Sequence, residues 1–273
     1  MNNTKNILVL IVAYNHEAYI KRCLESVLEQ KTKYNINIIC FDDCSTDRTL
    51  NILNNFQKQF PKRIQVIKNR KNLGRGRFSI IENSKKYTQN SDYWTILNGD
   101  DSWLNEDRVE KQVDILENNS NFVGCCGYTK MYDKNDKYIR TIKQDVTSYN
   151  LKDLIIFENQ KHLYAHPSSF IWRNVYYAKY NFILPKSKFL KIIGDLSIIY
   201  LMLNFDHKKK IFCLDEIVSR YNFNKKGVWS SLSDKKKIKI NKYYFLNLMR
   251  MVSIKYKILI ILKKLNIINV KKN

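Results

Sequence analysis

Glycine and proline are scarce, with seven and three among 273 residues. That scarcity excludes a collagen-like chain, Gly/Ser linkers and a turn-dense all-β architecture. No apolar run approaches the roughly 18–20 residues that cross a bilayer. The longest near the start is Ile7–Ala13. Met1–Lys5, followed by seven apolar residues and then Tyr14-Asn15-His16, does not make a signal peptide, so a cytoplasmic location is expected. Cysteine is present but unpatterned. Cys23, Cys40, Cys44, Cys125, Cys126 and Cys213 show no C-x2-C spacing, which argues against a zinc site or disulfide framework and for a reducing compartment. Acids are also few, 25 against 48 Lys and Arg, for a net charge of +23. What the chain does have is 44% hydrophobic and 13% aromatic residues, enough for a real core and too many for disorder.

The charge is skewed along the chain. From Asn222 to Asn273 there are fourteen Lys or Arg and one acid, Asp234. Such a balance favours anionic partners: nucleic acid, phosphorylated ligands or a membrane surface. Lys and Asn are abundant throughout, so much of the scattered charge is also compositional drift.

The first 130 residues alternate strand-like and helix-like segments, the pattern of an α/β sheet. Ile7–Ala13 reads as a strand buried on both faces. Residues 17–29 read as a helix with Ile20, Cys23, Leu24, Val27 and Leu28 on one face. A second strand over Ile36–Phe41 ends in Asp42-Asp43-Cys44-Ser45-Thr46-Asp47, where Ser45 or Thr46 can cap a helix that Pro61 closes. Further strands are expected at Ile64–Lys68, Tyr93–Leu97, Val123–Tyr132 and Ser168–Trp172. Helices are expected near 77–87, 106–118 and Leu196–Leu203, with one or two basic amphipathic helices over 242–270. The pattern contains no clean linker. It divides into a domain over 1–232 (a nucleotide-binding half, 1–120, and an acceptor half, 121–232) and a basic helical tail over 233–273.

Polar residues recur where strands stop: Tyr14-Asn15 after the first, Asp42-Asp43 after the second, Asp100-Asp101 after the fourth. In an open parallel sheet the carboxyl ends of strands border one crevice. Four carboxylates there repel one another unless a cation or ligand donors intervene. Mg2+ and Mn2+ take oxygen ligands and commonly share them with substrate phosphates, so acids, metal and phosphate form a consistent set. Either Asp pair taken alone is an ordinary turn or cap feature. A dinucleotide site is disfavoured by the glycine-free turn Ala13-Tyr14-Asn15-His16. Gly74-x-Gly76 is the only candidate and has Ser79 in place of the third glycine, and no G-x-x-x-x-G-K-[ST] loop occurs.

Ile7–Asn15 together with Asp42–Asp47 resembles the opening of the family 2 glycosyltransferases. Leu97-Asn98-Gly99-Asp100-Asp101-Ser102-Trp103 is similar to that family's D-x-D region, with Asn98 in place of the first acid. Ile193-Gly194-Asp195 resembles the segment carrying the base, and Tyr221-Asn222-Phe223 with Gly227-Val228-Trp229-Ser230 a late motif. The resemblance covers about 1–230. It implies a GT-A fold, an α/β architecture with a mostly parallel open sheet flanked by helices. The implied reaction is transfer, with inversion, of a sugar from a UDP- or GDP-linked donor to a glycan or lipid-linked acceptor in surface polysaccharide assembly.

By the same resemblance, Tyr14 stacks near the base, Asp43 accepts from the nucleobase and Asp42 supports that loop. Val12 and Asn98 join them in the donor site. Arg75, in the glycine-containing loop Gly74-Arg75-Gly76, is a donor-site candidate read from the residues, a phosphate contact or a solvated loop charge. Asp100, with Asp101 beside it, holds a divalent metal, Mn2+ or Mg2+, and Asp195 deprotonates the acceptor hydroxyl. An amide at 98 brings no charge, which weakens the expected metal site. Asp195 also reads as an ordinary helix N-cap. His166 and Trp229 are candidates for the acceptor side, with a structural histidine and core packing as the plainer readings; the same holds for Trp103. Arg77, Lys225 and Lys226 are candidate phosphate contacts, or solvated loop charges.

Residues 250–270 intersperse Ile254, Ile258, Leu259, Ile261, Leu262, Leu265 and Ile268 with Lys255, Lys257, Lys263 and Lys264. This pattern suits peripheral contact with an anionic membrane, here the inner face. Packing on the domain or against a second copy in a homodimer competes with it. A nucleotidyltransferase would need a Gly/Arg-rich loop near the first strand, which is absent. A nucleic-acid binder would not line its cleft with acids, so no nucleic-acid partner is expected.

Overall fold

Strand β1 (Asn6–Ala13) shows why its run is uninterrupted. Leu8 and Leu10 enter one core, and Ile7, Val9, Ile11 and Ala13 enter another on the opposite face of the sheet. Alternate side chains point to opposite faces, so a strand covered on both sides must be apolar at every position. Burying those residues contributes on the order of 10 kcal/mol before chain entropy is subtracted. The structure is a computed structural model that describes residues 4–74, 87, 90–156, 163–174, 194–206, 208–223, 232–236 and 254–264.

The other elements follow in order: α1 (Ile20–Leu28), β2 (Asn35–Asp42), α2 (Thr49–Gln59), β3 (Ile64–Lys68), β4 (Tyr93–Asn98), β5 (Ser102–Trp103) and α3 (Arg108–Asn118). Then come β6 (Phe122–Tyr132), β7 (Tyr138–Ile142), β8 (Ser148–Tyr149), α4 (Leu151–Ile156), a 3-10 turn (Pro167–Ser169) and β9 (Ile171–Arg173). Helix α5 (Gly194–Phe205), β10 (Lys210–Asn222) and α6 (Ile254–Lys264) complete the described set. The described strands form one sheet ordered β3-β2-β1-β4-β9-β6-β10-β5, with β7 added to β6 and β8 to β10. β1 pairs in parallel with β2 and β4, β2 with β3, and β6 with β10, while β9 enters antiparallel between β4 and β6. Helices α1, α2 and α3 cover one face. Helices α4, α5 and α6 supply the other core.

Several expectations needed correction. Ser45 and Thr46 do not cap α2. The residue before that helix is Arg48 with no side-chain cap, and Asp47 Oδ1 accepts from Thr49 N at 2.9 Å instead. The expected strand at Ser168–Trp172 begins as the 3-10 turn: Pro167 stands at its first position, where a fixed φ favours a helical start, His166 accepts from Ser168 N, and β9 starts only at Ile171. β10, the longest strand described, was not anticipated. Its register shifts between Leu214 and Ser219 interrupt the two-residue alternation that marks a strand. The expected helix near 77–87 lies outside the described residues, except for Tyr87, which is helical. In the tail, α6 sends Tyr256 and Ile260 into the same core as α4 and α5. Among the described residues no helix is long and apolar enough to cross a membrane.

Candidate active site

Strand register builds the site. Val12, half-buried, pairs with Phe41 on one side and Asn98 on the other, and Ala13 pairs with Asp42. The next residues continue the ladder briefly: Asp43 N donates to Ala13 O at 2.8 Å, and Gly99 N to Val12 O at 2.7 Å. The carboxyl ends of β1, β2 and β4 therefore deliver Tyr14, Asp42-Asp43 and Asn98–Asp101 side by side. Only a residue without a Cβ fits at 99, where a methyl group would come within 2.9 Å of His16 Nδ1 and Ile20 Cδ1.

The first two loops are laced together. Asn15 N donates to Ser45 Oγ at 3.0 Å, Thr46 N to Asn15 Oδ1 at 2.8 Å, and His16 N to Thr49 Oγ1 at 2.8 Å. Glu17 N donates to Asp47 Oδ2 at 3.1 Å, and Arg48 N returns to Glu17 Oε2 at 3.0 Å. Ser45 and Thr46 thus bind the neighbouring loop rather than start a helix, and Asp47 does both, one oxygen on Glu17 N and the other on Thr49 N. Asn15 and Cys44 hold positive φ values of 55° and 64°, a conformation costing L-residues about 1–2 kcal/mol and held here by the lacing. Tyr14 emerges exposed from this lattice.

Asp42 is fully buried. Its Oδ2 accepts from Ser45 N at 3.1 Å, and its Oδ1 has no hydrogen-bond partner among the described residues. Asp43 accepts from Asn69 Nδ2 at 2.7 Å, Leu73 N at 2.9 Å and Gly74 N at 3.0 Å. A carboxylate has about four lone-pair positions, so Asp43 orders the loop after β3 and keeps capacity for one further donor.

Asp100 and Asp101 are adjacent and differ in kind. The Asp100 side chain is 25% exposed, with its Oδ2 3.8 Å from His16 Nε2. The Asp101 side chain is 0% exposed. Its carboxylate accepts from Ser168 Oγ at 2.6 Å, Asn98 Nδ2 at 3.0 Å and Asn222 N at 3.3 Å. Asn222 Nδ2 also donates to Asp100 O, so the end of β10 grips both aspartates. The Asp101 oxygens are thus engaged by the chain's own donors, whereas the Asp100 carboxylate is part-exposed.

A buried cation stands behind this acid. Arg108, fully buried, donates to Ser168 O at 2.9 Å, Ser169 O at 3.0 Å and Gln112 Oε1 at 2.7 and 2.9 Å, and stacks 4.3 Å over the Trp103 ring. Burial pulls its guanidinium down to about 9. Ser168 links the two charges, its hydroxyl bonding Asp101 and its carbonyl Arg108. Trp103 is accordingly core, with Nε1 donating to Ser168 O at 3.2 Å. His166 is buried, stacks on Tyr221 at 4.3 Å and accepts from Ser168 N at 3.4 Å. It shapes the turn behind Asp101.

Asp195 occupies the second position of α5. One turn later, Ile198 and Ile199 line a small apolar cavity with Ile96 of β4 and Pro167, which sets this part of α5 beside the acid-bearing strand. Arg75, Arg77, Trp229, Lys225 and Lys226 lie outside the described residues. Sequence reasoning missed His16, Arg108, Gln112 and Ser168 as members of this network and assigned no role to Asn222. A signal existed for two of them: Arg108 and Gln112 are four apart, in phase with the buried Val109 and Val113.

Among the described residues no cluster of three His, Cys, Asp or Glu forms a metal cage. A hard divalent cation needs no such cage where one carboxylate and substrate phosphates share its shell. The part-exposed Asp100 carboxylate fits that arrangement, and the enclosed Asp101 does not.

The family model for glycosyl transferase family 2 matches residues 8–180, more than half of the chain, and the protein belongs to that family. TuaG of Bacillus subtilis, a glycosyltransferase named for teichuronic acid biosynthesis, is 31% identical over 160 residues, 57% of this chain and 61% of that one. Two solved structures share the GT-A fold. S. aureus TarS 1–349 with UDP-GlcNAc has a TM-score of 0.60 at 17% identity, covering 89% of this chain and 66% of TarS 1–349. The mannosyltransferase PcManGT of Pyrobaculum calidifontis, with GDP-Man and Mn2+, has a TM-score of 0.59 at 13% identity, covering 91% and 65%. The chain spans less than two thirds of the length of each of these relatives.

Proposed function

We propose that this protein is an inverting glycosyltransferase. It moves a sugar from a nucleoside diphosphate to a hydroxyl of a glycan or lipid-linked acceptor in surface polysaccharide assembly. The observation that carries the reading is the pairing of Val12 with Asn98 and of Ala13 with Asp42, which gathers an exposed aromatic and a part-exposed carboxylate at the carboxyl ends of neighbouring strands. The relatives support it, with UDP-GlcNAc on TarS, GDP-Man on PcManGT and teichuronic acid biosynthesis in the name of TuaG.

In this reading Tyr14 stacks on the nucleobase and Asp43 accepts its N–H, while Asp42 and the laced loops hold both in place. Val12 and Arg75 border the nucleotide. Asp100 would hold a divalent cation, Mn2+ or Mg2+, which when bound stabilises negative charge on a departing diphosphate as a Lewis acid. Asn98 secures Asp101 by hydrogen bonding, and Asp101 fixes the backbone from which Asp100 projects. Asp195 takes the proton from the acceptor hydroxyl as that oxygen attacks the anomeric carbon opposite the leaving group. Trp229 stands on the acceptor side.

A panel of UDP- and GDP-sugars with Mn2+ tests the assignment by release of nucleoside diphosphate. One donor should turn over, and Asp195→Asn should abolish turnover while donor binding persists. Undiminished turnover in that variant would remove Asp195 as the base.

A further inference from the structure

Helix α6 has two apolar faces, and only one is used. Tyr256 and Ile260 are buried in the core shared with α4 and α5, with Leu259 packed against it. Ile254, Ile258 and Ile261 are 74%, 52% and 47% exposed. At i, i+4 and i+7 they form one stripe along the outer side of the helix. They are three of the eight exposed large apolar side chains among the described residues, concentrated on a single short helix.

The charge around them selects the partner. From Lys235 to Asn273 the sequence holds twelve Lys or Arg and no acid. With about 100° per residue, positions 255 and 257 fall on opposite flanks of the isoleucine stripe. An apolar stripe between basic flanks, on a helix anchored by its other face, is the arrangement of an interfacial helix lying in the plane of a membrane. A second copy of the chain fits less well, because two such surfaces would bring like charges together. Anionic lipid phosphates neutralise the lysines while acyl chains take up the isoleucines.

We propose that α6 docks on an anionic lipid surface, with Ile254, Ile258 and Ile261 entering the headgroup boundary and the flanking lysines meeting lipid phosphates. This docking is independent of the sugar-transfer reading. If both hold, docking confines the enzyme to the surface where a lipid-linked acceptor resides.

Co-sedimentation of the full chain with vesicles tests it. Vesicles of phosphatidylglycerol mixed with phosphatidylcholine are compared with phosphatidylcholine alone, at low and high salt. The intact protein should pellet with the anionic vesicles and lose binding by about tenfold or more on neutral ones or in high salt. The triple variant Ile254→Ser, Ile258→Ser, Ile261→Ser should lose a similar factor with its melting temperature unchanged, since those side chains are exposed. Tyr138→Ser with Ile139→Ser, exposed on β7, should bind like the parent. Equal pelleting of the triple-serine protein, or pelleting indifferent to lipid charge, overturns the proposal. So does failure of the parent to pellet, including the case where chromatography shows a dimer that the serine variant dissolves. No sugar donor enters the assay, so its outcome stands apart from that of the transferase test.

Discussion

The loop after β2 and the loop after β4 each carry two adjacent aspartates, and the chain treats the two pairs differently. Asp42 and Asp43 both turn to loop backbone, from the nearby Ser45 in one case and from Leu73 and Gly74, about thirty residues on, in the other. Asp100 and Asp101 divide the work: one stays part-exposed beside His16, and the other is sealed among Ser168, Asn98 and Asn222. Both members of the first pair therefore order loops, with Asp43 keeping room for one more donor, while the second pair separates a part-exposed carboxylate from one that holds the scaffold. Neighbouring identical residues acquire different chemistry from what packs behind them. Behind Asp101 lies Arg108, and the two buried charges share Ser168 as their bridge.

That division can be broken from either side. Asp101→Asn should be the most damaging change, costing about 3–5 kcal/mol, because it replaces one oxygen of a buried, fully hydrogen-bonded carboxylate with an amide and leaves the donors from Ser168, Asn98 and Asn222 poorly matched. Urea unfolding measures it, and a loss below 1 kcal/mol (about a fivefold change in the folding equilibrium) would contradict the scaffold role. Asp100→Ala should do the reverse, lowering turnover by about 100-fold or more with little change in stability. If the two variants exchange phenotypes, the comparison is wrong. Ser168→Ala removes one hydrogen bond to a charged group and should cost about 1.5–3 kcal/mol, read in the same unfolding experiment. Tyr14→Ala should be mildest, raising the donor KM about tenfold with kcat nearly intact, since it removes one stacking face from an exposed position. A change in kcat alone would place Tyr14 in the reacting centre instead.

Much of this was legible in the residues. β1, β2 and β4 announce themselves as short apolar runs ending in polar turns, and their parallel pairing follows from the helices between them. Asp42, Asp43 and Asp100 could be picked out because strand ends converge in such sheets. The role of Ser45 and Thr46 was misread because a hydroxyl before a helix is the usual cap, and nothing local reveals that Asn15, thirty residues earlier, competes for it. β10 stayed hidden because its bulges break the alternation. The residues predict at Asn98 an uncharged donor-site amide that weakens metal affinity; the structure adds that this amide donates to Asp101, a contact across three residues that depends on the turn at Gly99.

By itself the sequence determined the layered α/β plan and the places where carboxylates cluster, since period and composition are properties of the chain alone. Which carboxylate faces outward, which donors enclose the buried one and which side of α6 remains uncovered were decided only by tertiary structure. These depend on solvent exclusion and on partners sixty to a hundred and twenty residues away, as with Asp101 and its bonds to Ser168 and Asn222. Burial changes the energy of a charge more than any neighbour in the chain does, and burial exists only once the layers have closed.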